Sequence, residues 1–201
     1  MIAATSSAVS RLILALCLLA ALTGVAQAQS PESSAHRDPS ALHFYLITVD
    51  VGANVWDNFG HSALRVVDEL NNTDVVYNWG VFEVSGGPAT FATDFFLNQV
   101  DYRLATQSMS RELDNYRAQR RTVWQDKLNL TAAQKQRLLV RLRWNLVADN
   151  RYYDYHYFFD NCTTRIRDYL NEALDGRINA EVAGESGRLF RDEVRGHYAS
   201  I

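Results

Sequence analysis

The sequence predicts an α+β domain, and three observations carry that reading. Alternating, β-branched segments cluster before residue 85. Helical patterns dominate the stretch that follows them. A strongly aromatic run then leads directly into a last amphipathic helix. No internal repeat is visible. With 201 residues, 47% of them hydrophobic, and only three prolines and ten glycines, the chain can build one sizeable core. Its 20 Lys and Arg against 23 Asp and Glu lack the basic footprint of a nucleic-acid binder.

Arg11 precedes an apolar run from Leu12 to Leu22, and Ala26-Gln27-Ala28 follows it. That order reads as a secretory signal over 1–28, cleaved after Ala28, so the domain is expected to be exported. The run is short for a membrane span, which needs about 20 apolar residues. No transmembrane segment is expected after it. Cys17 leaves with the signal, and Leu16 before it is not the small residue of a lipoprotein signal. The mature chain keeps one cysteine, Cys162, with 19 basic against 23 acidic residues. A lone thiol in an oxidising compartment is either an inert buried hydrophobe or a group retained for its reactivity.

Residues 29–40 read as a mobile polar leader, and 41–201 as a single domain. Residues 41–49 have strand composition, with Phe44, Tyr45, Ile47 and Val49. Gly52 to Gly60 is a loop. Residues 61–67 and 75–84 flank the turn residues Asn71-Asn72, which predicts a β-hairpin. Ser85-Gly86-Gly87-Pro88 breaks the sheet, 91–100 has helical spacing, and 101–106 reads as a short strand. A long helix is expected over 110–128, on which Arg117, Arg120 and Arg121 form a solvated face. Thr131 and Gln134 open a second helix through about Val147 as a capping box. The run 152–159 (YYDYHYFF) is expected to be a buried strand. Asn161 then caps a helix whose apolar stripe is Ile166, Tyr169, Leu170, Ala173 and Leu174, closed by Gly176.

That last helix carries the chemistry. Cys162 falls at its first position, where unsatisfied N–H groups and the helix dipole favour a thiolate. A thiol nucleophile needs a base within reach. Of five histidines, His36 lies in the leader, His197 near the end, and His43 reads as an exposed polar residue at a strand start. His61, behind Phe59-Gly60, is the first choice and His156 the second. Asn78, in the hairpin's second strand, can orient His61, with Tyr77, Tyr45 and Asp160 as weaker candidates. The backbone N–H of Cys162, supported by Asn161, would contribute an oxyanion hole. No short-spaced ligand pair is present, so neither a metal nor another cofactor is expected.

Four motifs recur in a familiar order: Phe59-Gly60-His61-Ser62-Ala63-Leu64-Arg65, Tyr77-Asn78-Trp79-Gly80, Leu128-Asn129-Leu130-Thr131, and Phe159 through Asp168 (FDNCTTRIRD). The series resembles the Lnb N-terminal periplasmic domain family, from about Leu42 to Arg195. The resemblance implies a periplasmic, circularly permuted papain-like fold, similar to NlpC-type and lecithin:retinol acyltransferase-like proteins, in which the histidine precedes the cysteine. The family's namesake is a lipoprotein transacylase. It therefore also implies that Cys162 accepts an acyl group with His61 as base, on a lipid, lipoprotein or other acyl-bearing envelope substrate at or near the membrane surface. Cleavage of a peptidoglycan peptide, as in NlpC-type relatives, is the enzyme alternative, and a non-catalytic envelope binding module on the same fold is the other.

Overall fold

Val49 and His61 face each other across two antiparallel strands, and the sheet built outward from that pair sets the position of every candidate group. A computed structural model describes residues 38–83, 93, 100–181, 184 and 187. The expected signal, most of the leader, the 85–88 break and nearly all of the 91–100 helix lie outside these residues. Strands β1 (Leu42–Val49), β2 (His61–Asp68), β3 (Thr73–Val81), β4 (Tyr102–Ser108), β5 (Val123–Lys127) and β6 (Tyr152–Tyr153) form one sheet. Its order is β5-β1-β2-β3-β4-β6, and every pairing is antiparallel. The β2–β3 hairpin forms as its sequence predicts. Asp68 accepts from the backbone and side-chain N–H groups of Asn71, and Asn72 takes the left-handed conformation at φ 50°.

Period-2 alternation divides the strands between two cores. Leu42, Phe44, Leu64, Val66, Tyr77 and Trp79 pack against helices α2 (Ala132–Leu146) and α3 (Cys162–Ala173). On the opposite face, Ile47, Val49, Ala63 and Val76 pack against helix α1 (Met109–Ala118) through Met109, Leu113 and Tyr116. His61 and Asn78 have the parity of this second face. Helix α2 opens on the Thr131–Gln134 capping box, as the sequence signals. A short helix α4 (Arg177–Glu181) ends the described elements, after Gly176 at φ +83°.

Two expectations are corrected. The 110–128 helix stops at Ala118, Arg120 reverses the chain at φ 58°, and Val123–Lys127 becomes β5. The β-branched Val123 pairs with Val49 because β1 offers an open edge, which outweighs the helix propensity of the flanking residues. Arg121 is accordingly no part of a solvated face. Its side chain is 4% exposed, with Nε donating to the Asp50 carbonyl and an Nη to Asp57 Oδ1 at 2.8 Å. The pair ties the Gly52–Gly60 loop to the α1–β5 turn. Arg117 meets Asp114 on the surface.

The second correction concerns 152–159. Only Tyr152 and Tyr153 pair, with Arg103 and Tyr102, because β4 begins there and offers no further rungs. The chain then turns, and His156 and Asp160 exchange backbone hydrogen bonds of 2.8 and 3.0 Å. Tyr157, Phe158 and Phe159 are exposed at the turn rather than buried in a strand.

Candidate active site

Helix α3 begins where its sequence demands. Asn161 Oδ1 accepts from the N–H groups of Thr163 and Thr164, both at 3.0 Å, and Thr164 Oγ1 accepts from the Asn161 N–H at 2.8 Å. The Asn161 amide donates in turn to the Tyr157 carbonyl at 2.7 Å. One residue thus fixes the helix start and the aromatic turn before it. Asn161→Ala is expected to lower stability by about 1 kcal/mol, as lost caps do, and urea titration would read that shift.

Gly60 decides where His61 stands. Its φ is +71°, and a Cβ there would sit 2.6 Å from the Val49 carbonyl oxygen, so only glycine lets the chain enter β2 this close to β1. His61 is half-buried and hydrogen-bonded to the Cys162 thiol, while its Nε2 donates to Asn78 Oδ1 at 3.0 Å. With Nε2 taken, Nδ1 is the ring nitrogen left for sulfur. The Ser62 backbone N–H also serves the thiol, and Thr163 Oγ1 lies 3.9 Å from Sγ. Thr163 Oγ1 donates to Ser62 Oγ at 3.2 Å, a side-chain link between α3 and β2.

The electrostatics follow from this packing. Burial pushes the Cys162 thiol up, but the hydrogen bond and charge of His61, the Ser62 N–H and Thr163 outweigh it and bring the pKa down to about 7. Burial also pushes His61 down. Cys162, Asn78 and Glu112 more than reverse that, so the imidazole is raised. Each partner stabilises the charged form of the other, which is the condition for a thiolate–imidazolium pair.

A cleft of about 450 Å³ opens beside these groups, with His61, Asn78 and Cys162 in its wall. Rings line one side in a continuous series: Trp56 meets Phe82 at 6.0 Å, Phe82 meets Tyr102 at 5.4 Å, Tyr102 stacks on Tyr155 at 4.5 Å, and Tyr155 meets Tyr157 at 5.6 Å. A bulge in β3 between Asn78 and Val81 makes room for this wall. Gly80 lies within it at φ +82°, where a Cβ would crowd Tyr155 at 3.3 Å. Burial, with Tyr157 nearby, pushes the Tyr102 phenol up to about 12, so it stays a neutral hydrogen-bonding group.

The other sequence candidates stand elsewhere. His156 Nδ1 accepts from the N–H groups of Phe158 and Phe159, at 3.2 and 3.3 Å, and its ring lies against Phe159. Asp160 grips Arg165 with both oxygens, and Tyr45 lies under Arg65. Tyr77 is in the α2–α3 core. His43 faces Glu69 at 3.0 Å. Among the described residues, no group of three His, Cys, Asp or Glu is placed to hold a metal ion, and no helix is long and apolar enough to cross a membrane.

One participant escapes the sequence reading. Glu112 on α1 is buried, and its Oε1 accepts from Asn78 Nδ2 at 2.7 Å. A signal for it exists: Met109, Leu113 and Tyr116 form the apolar face of α1, and Glu112 falls on that face.

No curated protein and no solved structure matches the chain significantly. The site motifs nevertheless lie within a family model that covers residues 29–191, whose description places the domain in the periplasm, in agreement with the expected export. The chain belongs to the Lnb N-terminal periplasmic domain family.

Proposed function

We propose that this domain is a thiol enzyme of acyl transfer or hydrolysis, acting in the periplasm on an acyl-bearing substrate of the cell envelope, and that its fold is the permuted papain-like one. The hydrogen-bonded series Cys162, His61, Asn78 at the wall of an aromatic cleft carries the reading. The Cys162 thiolate attacks the substrate carbonyl carbon, its proton resting on His61 Nδ1. The carbonyl electron pair moves onto oxygen, and the Cys162 backbone N–H at the open end of α3 donates to that oxyanion. Collapse expels the alcohol of the donor ester, which takes the His61 proton and leaves an acyl thioester on Sγ. An amine or water then gives its proton to His61, attacks the thioester and restores the thiol. The aromatic wall beside the cysteine suits an apolar acyl chain.

The test is to incubate the domain with vesicles carrying a diacylglyceryl lipopeptide and to record intact mass. The expected product gains one acyl group, mapped to Cys162 by peptide digestion and absent from Cys162→Ala. An adduct with a cell-wall peptide instead would move the assignment to an NlpC-type amidase. A thiol that forms no adduct with either donor and resists alkylation would leave a binding module.

A further inference from the structure

An asparagine can present either end of its amide to a histidine, and the two choices have opposite consequences. If Asn78 offered its NH2 group, His61 Nε2 would have to accept, Nδ1 would carry the hydrogen, and no lone pair would face the thiol. What fixes Asn78 is on its other side. Its amide bridges His61 Nε2 at 3.0 Å and Glu112 Oε1 at 2.7 Å, with Asn78 and Glu112 both buried. An ionised carboxylate only accepts. The NH2 end must therefore face Glu112, the oxygen must face His61, and Nε2 must carry the hydrogen. Resting on the thiol-enzyme reading above, we infer that Glu112 is a positioning residue that sets the tautomer of His61 through Asn78.

Nothing else among the described residues calls for a charge at this place. Glu112 interrupts the apolar face of α1, and the groups that bond it are the Asn78 amide and the Tyr116 hydroxyl, neither of them a cation. Among the described residues, the charged or titratable groups around the series are His61 on β2, Tyr116 on α1 itself, Cys162 beyond His61 with Tyr153 and Tyr155 facing it, and Arg121 and Asp57 beyond Tyr116. A buried carboxylate against two neutral donors is costly. The geometry returns that cost as orientation of the imidazole, and as a negative charge that favours imidazolium when the thiol ionises. Burial also raises the carboxyl of Glu112. The lock is therefore released at a higher pH than an ordinary glutamate would allow.

Two-bond 1H–15N correlation NMR reads the tautomer directly, in Cys162→Ala so that no thiolate intervenes. With Glu112 intact, His61 is expected as the Nε2–H form wherever it is neutral. Adding Glu112→Gln keeps the shape and removes the acceptor-only end, and is expected to give a mixture of tautomers. In the enzyme with its thiol, Glu112→Gln is expected to raise the apparent pKa of Cys162 in disulfide exchange by about half to one unit, a loss of up to about tenfold in thiolate below pH 7. Glu112→Asp, which keeps the charge, restores part of that shift. An Nδ1–H tautomer with Glu112 intact overturns the inference without any variant at 112, and so does a folded Glu112→Gln with unchanged tautomer and profile. An inert Cys162 with the Nε2–H tautomer intact would instead remove the catalytic reading and leave the positioning in place.

Discussion

Replacing His61 with alanine is expected to slow the exchange of Cys162 with a small disulfide reagent about tenfold at pH 6, and to speed it above pH 9. The crossover follows from two opposed effects. His61 is the largest of the groups that, with the Ser62 N–H and Thr163, hold the thiol at about 7 against the push of burial, and without it burial returns the thiol toward its ordinary range. At pH 6 the wild-type thiol is about one part in ten thiolate, and a thiol at 9 about one part in a thousand, a ratio of about 100. A thiolate of lower pKa is also a weaker nucleophile. With a Brønsted slope of 0.4–0.5, two units cost it about tenfold in intrinsic reactivity, which leaves a net advantage of about ten. Above pH 9 both thiols are largely ionised, only the nucleophilicity difference survives, and the mutant becomes the faster. A His61 that merely packed against Cys162 would move both limbs the same way or neither. Parallel wild-type and mutant profiles from pH 5 to 10 would sink the pairing of the two residues. His156→Ala, whose ring nitrogen is engaged by its own loop, is expected to leave the profile where it is.

What the sequence exposes of this site is its local part. Asn161 as a cap, Cys162 at the first helical turn and the Thr131 capping box are each written in fewer than five consecutive residues, and all appear where they are read. The hairpin that carries His61 and Asn78 is nearly as local, because alternation and an Asn-Asn turn specify its register. The failures share a different cause. Whether Val123–Lys127 becomes helix or strand depends on β1 having a free edge, and whether 154–159 continues as a strand depends on where β4 starts. Neither fact is present in the segment itself. Arg121 shows the same limit, since it looks like its neighbours Arg117 and Arg120 until the Gly52–Gly60 loop brings Asp57 to it across 64 positions of chain. Glu112 is intermediate. Its place on an apolar helix face is legible, but its partner Asn78 lies on a strand 34 residues earlier.

Asn145→Leu is expected to be among the most damaging single substitutions in the core, although it adds apolar surface at a site only 1% exposed. The Asn145 oxygen accepts from the Trp79 indole N–H at 2.9 Å and from the Tyr169 hydroxyl at 2.6 Å, and its amide donates to the Asn150 carbonyl at 2.6 Å. Trp79 and Tyr169 are 1% and 3% exposed, with rings 5.4 Å apart edge to face. Leucine matches the volume and supplies no acceptor. Each buried donor left alone costs about 1–3 kcal/mol, so the two rings together lose about 2–6 kcal/mol. The gain from burying a few more methyl groups, about 1–2 kcal/mol, only partly offsets this. Against a total stability of about 5–15 kcal/mol, the remainder should lower the melting temperature by about 5–10 °C. Thermal unfolding followed by circular dichroism measures it, and a fall below about 2 °C would show that the network is dispensable. Asn145→Leu in a Trp79→Phe, Tyr169→Phe background is expected to be far milder, because the two ring donors that Asn145 serves are then already gone. The same network reaches the site. Trp79 follows Asn78 on β3 and Tyr169 lies two turns beyond Cys162 on α3, so Asn145 of α2 pins together the two elements that bring His61's partner and the nucleophile to one cleft.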